Sequence, residues 1–167
     1  DYSHHCTKKS KEFYEQRTGN SAEVNLFLLT LLQTAGIEAY PVIISTRDHG
    51  KIKSKYPFDH FFNHVIVLVK NEDKSYLTDA TEKLIPYNRI PPQCMNDKGL
   101  VVSEPGEKWV SLESTIRPVC ENKIQINFQD NLEKAIARIL IQRNEYEAFK
   151  YRKVFREDTI KLSEVIS

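Results

Sequence analysis

The chain has 167 residues, of which 40% are hydrophobic and 28% are charged, as is typical of a globular domain. Its 24 basic and 23 acidic residues leave a net charge of +1, so the chain has no electrostatic signature of nucleic-acid or anionic-membrane binding. No apolar run reaches the roughly 18–20 residues of a membrane-spanning helix, so we expect no membrane insertion. The first residue is Asp1 and no signal-like stretch follows it, which indicates a segment of a longer protein with flanking domains.

Two helices are predicted at the N-terminal end. Residues 3–16 have an amphipathic, largely polar pattern that a glycine-containing break then ends. The second helix has a stronger start signal, because Asn20 and Glu23 stand at the spacing of a capping box. From Val24 onward it is apolar on nearly every side, which predicts a central, buried helix that stops at Gly36.

Strand signals follow the second helix. The clearest hairpin joins residues 61–70 to residues 75–81 through Asn71-Glu72-Asp73-Lys74. Near residue 115 the pattern changes, and two further strands and an aromatic-rich helix are predicted after it. We therefore predict an α+β fold with one domain at residues 1–115 and a second at 116–167. The remaining predicted elements are strands at 39–46, 99–103, 108–112, 123–129 and 135–142, and a helix at 145–156.

Three polar residues stand where they could carry chemistry. Ser21 opens the apolar helix, His64 lies on a strand-like run, and Asp79 lies on the next one. A small nucleophile at a helix N-terminus, followed by His and then Asp, is the order of a thiol-type catalytic triad. Here the nucleophile position holds a hydroxyl. The helix N-terminus would add N–H groups and a partial positive charge that could stabilise an oxyanion.

The hairpin geometry supports grouping His64 with Asp79. A turn centred between residues 72 and 73 places Asp79 opposite Ile66, which lies two residues from His64 and on the same face. A slip of one residue would separate the two side chains. In the predicted register, Asp79 would hold one imidazole nitrogen and leave the other for a substrate or nucleophile.

Each of the three residues also has a purely structural interpretation. Ser21 could serve only as a helix cap, His64 as a hydrogen-bonded core histidine, and Asp79 as a turn residue. Under that interpretation their order along the chain would be a coincidence. Side chains of His64 and Asp79 on opposite faces of the sheet would favour it.

The other histidines and the cysteines do not predict a metal site. No carboxylate or cysteine stands at ligand spacing from the remaining histidines, so we expect no metal ion and no cofactor. The cysteines are widely spaced and form no CxxC pair, which favours three reduced thiols, although one disulfide with one leftover thiol stays open. The residues concerned are His4, His5, His49, His60, Cys6, Cys94 and Cys120.

Four runs of the chain resemble the core of the transglutaminase-like superfamily, in the bacterial branch in which a β-rich domain follows that core. The resemblance covers about residues 10–115 and implies a papain-like α+β fold, in which a helix carrying the nucleophile packs on an antiparallel sheet carrying His and Asp. The residues after about 119 resemble the truncated start of the β-rich companion domain. The four runs are Gly19-Asn20-Ser21-Ala22-Glu23-Val24-Asn25, residues 28–47, Phe62-Asn63-His64-Val65-Ile66-Val67 and Leu77-Thr78-Asp79-Ala80-Thr81.

By this resemblance, His64 and Asp79 fall on the catalytic His and Asp, and Ser21 falls where the family has its nucleophilic Cys. A thiol with a reference pKa of about 8.5 can form a thiolate beside an imidazole at a helix N-terminus. An alcohol must instead lose its proton during the attack, which requires a site built for that step. Replacing the thiol by a hydroxyl therefore usually abolishes most activity.

Two functions follow from the resemblance. The first is a catalytically inactive domain that acts as a structural module or binds a peptide, glycopeptide or peptidoglycan-like ligand, within a larger bacterial protein. The second is an active protease, amide hydrolase or acyltransferase that uses Ser21, His64 and Asp79. A cysteine enzyme silenced by substitution would give the same sequence, and comparison with the natural gene would identify it. The resemblance also favours an envelope or extracytoplasmic location.

Overall fold

Two antiparallel sheets and three helices make up the part of the chain that the computed structural model describes, residues 2–53, 55–71, 74–103, 106, 108–128 and 135–157. The predicted α+β class is confirmed. The chain divides into two compact units, Asp1–Ser114 and Thr115–Ser167. All three residues of the candidate triad lie in the first unit. The predicted identity of the second unit as a companion domain stays a prediction.

The first unit is a five-stranded antiparallel sheet with helices at its N-terminal end. The strands lie in the order β3-β2-β1-β4-β5. Two short 3-10 helices, Asp59–Phe61 and Pro92–Cys94, lie in the connections. The main elements are α1 (Ser10–Gln16), α2 (Ser21–Thr34), β1 (Glu38–Ile44), β2 (His64–Asn71), β3 (Lys74–Thr78), β4 (Lys98–Val101) and β5 (Lys108–Ser111).

The β2–β3 hairpin has the register that its sequence predicts. Val67 lies opposite Thr78, and Asn71 lies opposite Lys74. The predicted turn residues 72 and 73 lie outside the described residues. Because side chains alternate along a strand, this register brings the start of β2 next to the residue that follows β3. His64 is the first residue of β2, and Asp79 follows directly after β3.

Helix α2 begins and ends as predicted. The Asn20 side chain accepts from the Glu23 N–H at 3.0 Å, and the Glu23 carboxylate accepts from the Asn20 N–H at 3.0 Å, which completes the capping box. After the last turn, Gly36 has a φ of +78°, a left-handed conformation that costs glycine little and so favours the end of a helix.

The prediction that α2 is buried on nearly every side is wrong. The helix packs against β1 and β2, where Leu29 joins a cluster with Ala39, Val67 and Val69. Leu31, on the same helix, is 53% exposed. The sheet covers one side of α2, so part of its apolar surface faces solvent.

The continuous apolar run after His64 forms strand β2, which is buried on both faces. Its residues from His64 to Val69 are all buried. One face packs toward α2, and the other joins a second core cluster, so the strand has no solvent-facing side to carry polar residues. That second cluster consists of Val42, Ile44, Ile66, Leu68, Ile90, Cys94, Val101 and Leu112.

The predicted N-terminal helix is shorter than expected. Helix α1 covers only Ser10–Gln16, and residues 3–9 are not helical. Main-chain N–H groups in this stretch donate to side chains of α2, as from Ser3 to Ser21 Oγ and from Thr7 to Glu23 Oε1. Those bonds pair main-chain N–H groups that would otherwise be hydrogen-bonded within the longer helix that the sequence predicts. We call residues 2–9 the N-terminal segment.

The described part of the second unit contains a hairpin and one helix, β6 (Cys120–Phe128), β7 (Ala135–Arg143) and α3 (Glu145–Glu157). The last predicted residue of the strand 123–129 lies outside the described residues. Several large apolar side chains of this hairpin are more than half exposed, namely Ile124, Ile126, Phe128, Ile136, Ile139 and Leu140. The structure assigns no function to this unit.

Across the described ranges, no helix is both long and apolar enough to cross a membrane.

Candidate functional site

A buried histidine–aspartate pair lies at the end of the β2–β3 hairpin. His64 Nε2 is 2.7 Å from Asp79 Oδ2, and both side chains are fully buried. Because an ionised carboxylate only accepts, Nε2 donates the proton of this bond and Nδ1 is the ring nitrogen that does not contact Asp79. The two residues therefore meet as the hairpin register predicted. Their catalytic role stays a prediction.

Asn25 holds the aspartate in place from helix α2. Its Nδ2 donates to Asp79 Oδ1 and to the Val65 carbonyl, each at 2.8 Å. Its Oδ1 accepts from the Ala80 N–H at 2.8 Å. Asn25 thus joins the helix to β2 and to the residues that follow β3, through a fully buried side chain. This role of Asn25 is not predicted from the sequence, although a polar residue four positions after Ser21 in an apolar helix is a signal that could have indicated it.

The Asp79 carboxyl is held in its charged form. Burial alone would raise its pKa, but hydrogen bonds from His64, Asn25 and Thr81 favour the anion and bring the pKa below its ordinary value. Thr81 contributes both its N–H at 2.9 Å and its hydroxyl at 2.7 Å, on Oδ1. The carboxylate can therefore orient the imidazole of His64 and stabilise a positive charge on it.

Cys94 is a site neighbour that the sequence did not reveal. Its Sγ lies 3.7 Å from Asp79 Oδ2, in a fully buried position in the second 3-10 helix. Burial, together with the negative charge of Asp79, raises the pKa of this thiol far above its ordinary value. Cys94 is therefore a protonated donor, and its thiol does not provide a thiolate nucleophile.

Ser21 makes hydrogen bonds to the main chain of the N-terminal segment. Its hydroxyl donates to the Ser3 carbonyl at 2.7 Å and accepts from the Ser3 N–H at 3.0 Å. His64 Nδ1 is buried and has no hydrogen-bond partner within the described part of the chain. The structure therefore brings His64 and Asp79 together, but it does not connect Ser21 to His64 by a hydrogen bond.

The N-terminal segment packs over the start of α2 and against the His64 ring. The Tyr2 and His64 rings form a T-shaped contact, with the centroids 5.2 Å apart and the planes at 71°. The Asn20 side chain donates to the His5 carbonyl at 2.9 Å. Ser21 is only 2% exposed as a result.

Glu23 is the main anchor of this segment. Its Oε1 accepts from the Thr7 N–H at 2.8 Å, the Thr7 hydroxyl at 2.7 Å and the Lys8 N–H at 2.8 Å. Burial would raise the pKa of the Glu23 carboxyl, but these bonds and the one from the Asn20 N–H lower it to about 2. Glu23 is therefore ionised at neutral pH and binds the segment as an anion.

A second attachment joins the segment to the first 3-10 helix. His4 Nε2 is 2.9 Å from Asp59 Oδ1, and His5 Nε2 is 3.3 Å from Asp59 Oδ2. The sequence gave no sign of this contact, because Asp59 is more than 50 positions from either histidine.

Comparison of the chain with protein-family models, with curated proteins and with solved structures gives no match. Any assignment of function therefore depends on the geometry of the site. That geometry provides an imidazole oriented by an ionised carboxylate, a helix N-terminus, and a hydroxyl whose proton is directed to a main-chain carbonyl.

Proposed function

We propose that residues 1–115 form a transglutaminase-like domain with a papain-like core, in which Ser21 replaces the nucleophilic cysteine. In this proposal the domain performs no thiol chemistry. It acts as a peptide- or glycopeptide-binding or structural module of a larger bacterial protein. The order of Ser21, His64 and Asp79 supports the assignment, as does the packing of α2 on an antiparallel sheet in which His64 begins β2 and Asp79 directly follows β3.

The observation that carries this proposal is the pairing of the Ser21 hydroxyl with both main-chain groups of Ser3. A hydroxyl nucleophile must pass its proton to a general base as it attacks. Here the single hydroxyl proton is directed to a carbonyl, which cannot act as that base. The hydroxyl therefore serves as a binding group for a peptide main chain.

A peptide-binding role is further supported by what the start of α2 contacts. Asn20, Ser21 and Glu23 all bind main-chain groups of the N-terminal segment. Contacts to main-chain N–H and C=O groups select an extended backbone and depend little on its side chains. A separate peptide that displaced the segment would find the same donors and acceptors.

The test compares the wild-type protein with Ser21→Cys, using a peptide that carries a thiol-reactive electrophile. Both proteins carry Cys6→Ser and Cys120→Ser, because these two thiols are exposed and would react by themselves. We expect labelling at position 21 only in Ser21→Cys, and a strong loss of its rate when His64→Ala is added. This result would identify a retained triad geometry that lacks a reactive nucleophile.

Two results would contradict these expectations. Purified wild-type protein that hydrolyses or cross-links peptide amides at rates well above a His64→Ala control would contradict the proposal. Failure of Ser21→Cys to react at position 21 in correctly folded protein, both by itself and with Glu23→Gln added to loosen the N-terminal segment, would contradict the transglutaminase-like assignment itself.

One observation favours a second function, an active amide hydrolase or acyltransferase that uses Ser21. His64 Nδ1 is buried and unpartnered among the described residues, so it could accept the Ser21 proton once the N-terminal segment withdraws. This function predicts covalent labelling of Ser21 by a serine-directed phosphonate, abolished by His64→Ala. It also predicts faster labelling in Glu23→Gln, where the segment is less firmly held. Absence of labelling in both proteins would overturn it.

A further inference from the structure

Two histidines and an aspartate converge at the surface of the first unit. His4 and His5 are consecutive in the N-terminal segment, and Asp59 opens the first 3-10 helix. The Nε2 atoms of both rings approach the two oxygens of the same carboxylate, at 2.9 Å and 3.3 Å. One nitrogen from each ring and one carboxylate oxygen all lie within 4.8 Å of one another. Three potential metal ligands therefore lie close together.

The spacing of these atoms fits a small divalent cation. Zinc–nitrogen and zinc–oxygen bonds of about 2.0–2.1 Å at the tetrahedral angle place neighbouring ligand atoms about 3.3–3.4 Å apart. His5 Nε2 lies 3.3 Å from Asp59 Oδ2, and His4 Nε2 lies 2.9 Å from Asp59 Oδ1. Rotation of the exposed His5 and Asp59 side chains can bring one ligand atom from each residue, now within 4.8 Å of one another, to the spacing of a bound ion. The ion would take the place of the protons on the two Nε2 atoms.

The donor set also selects the class of ion. Two imidazoles and one carboxylate suit Zn²⁺ and the neighbouring late first-row ions, whereas Mg²⁺ and Ca²⁺ prefer oxygen ligands alone. The His5 side chain is 67% exposed and Asp59 is 74% exposed, so an ion can enter from solvent and keep water as a further ligand. Without a metal ion, an ion pair between groups as exposed as His5 and Asp59 would stabilise the protein only slightly.

We propose that His4, His5 and Asp59 form a Zn²⁺ site that fastens the N-terminal segment to the body of the first unit. Because the ion binds the attached segment and has only part of its ligands when the segment is released, binding stabilises the attached state. Tyr2 and Ser3 directly precede the two histidines in the chain and contact His64 and Ser21. Zn²⁺ therefore favours the covered form of the candidate site. The metal site itself does not depend on the proposed function.

The test is a calorimetric titration of the chelator-treated protein with ZnCl₂. We expect saturable binding of one equivalent of Zn²⁺ and no binding of Mg²⁺ under the same conditions. Asp59→Asn keeps the shape of the side chain but is a poor ligand, and it should weaken the binding at least about tenfold, as should His4→Ala. His49→Ala is the matched control, because it removes a histidine outside the cluster, and it should leave the binding unchanged.

A second measurement identifies the ligands without any variant. Long-range proton–nitrogen NMR spectra resolve all five histidines of the chain, and Zn²⁺ should move the Nε2 signals of His4 and His5 but not those of the others. Cys6→Ser should bind Zn²⁺ as tightly as the wild type, because Cys6 lies outside the cluster. Absence of saturable binding, binding unchanged in Asp59→Asn, or binding lost in Cys6→Ser would each overturn the proposal.

Discussion

The two sides of the candidate site are held in different ways. On one side, His64 and Asp79 are fixed by a strand, a hairpin and the buried Asn25, all of which belong to the core of the first unit. On the other side, Ser21 is satisfied by the main chain of Ser3, a residue of the N-terminal segment. The position of the His64 imidazole is therefore fixed by interactions that also stabilise the fold. The state of the hydroxyl depends instead on whether the segment is in place.

The largest effect is expected from Asp79→Ala, which breaks the core side of the site. The change leaves the buried donors of His64 and Asn25 without their acceptor, and each buried donor left unsatisfied costs about 1–3 kcal/mol of unfolding free energy. Urea unfolding measures this loss. Asp59→Ala, which removes an exposed carboxylate from two histidines, is the control and should change the stability far less. A loss of less than about 1 kcal/mol in Asp79→Ala would contradict the conclusion that the His64–Asp79 side of the site contributes to the stability of the fold.

A smaller and more local effect is expected from Glu23→Gln, which weakens the other side. The neutral amide loses the charge that binds the amides of Thr7 and Lys8, and hydrogen bonds to charged groups are the stronger ones. Amide hydrogen exchange of these two residues at neutral pH should become at least about tenfold faster. Glu12→Gln, an exposed change in α1, should leave it unaltered. Equal protection in wild type and Glu23→Gln would show that other contacts hold the segment.

The mildest change is a lower pH, which should release the segment without any mutation. The pKa of Glu23 is about 2 in the folded protein, below its ordinary value of 4.5. A group with a lowered pKa stabilises the attached state fully above about pH 4.5, and this contribution is lost as the pH falls toward 2. The amide chemical shifts of Thr7 and Lys8 should therefore change over that range. The same titration of Glu23→Gln should lack this transition, and an identical curve would assign it to another carboxyl group.

Much of the core side of the site could be predicted from the sequence, because the determining interactions are local. A hairpin turn and the alternation of side chains place Asp79 beside His64. The capping box of Asn20 and Glu23 is set by a spacing of three residues. The papain-like identity of the fold and the catalytic roles of the three residues stay predictions, since neither follows from interactions between neighbours in the chain.

The segment side could not be predicted, because its partners are distant in the chain. Residues 3–9 have a pattern compatible with a helix, but the acceptors on α2 that hold them in a non-helical conformation lie 15 to 18 positions away. The contacts of Cys94 with Asp79 and of Asp59 with the two histidines also join residues that are distant in the chain.

The sequence by itself determined where helix α2 begins and ends, the register of the hairpin and the meeting of His64 with Asp79. These features depend on neighbours along the chain or across one turn. Only the tertiary structure decided which atoms the Ser21 hydroxyl contacts and what covers the imidazole. A hydroxyl can donate to a carbonyl or to a ring nitrogen with similar energy, so its partner is chosen by the segments that the complete fold brings within hydrogen-bonding distance.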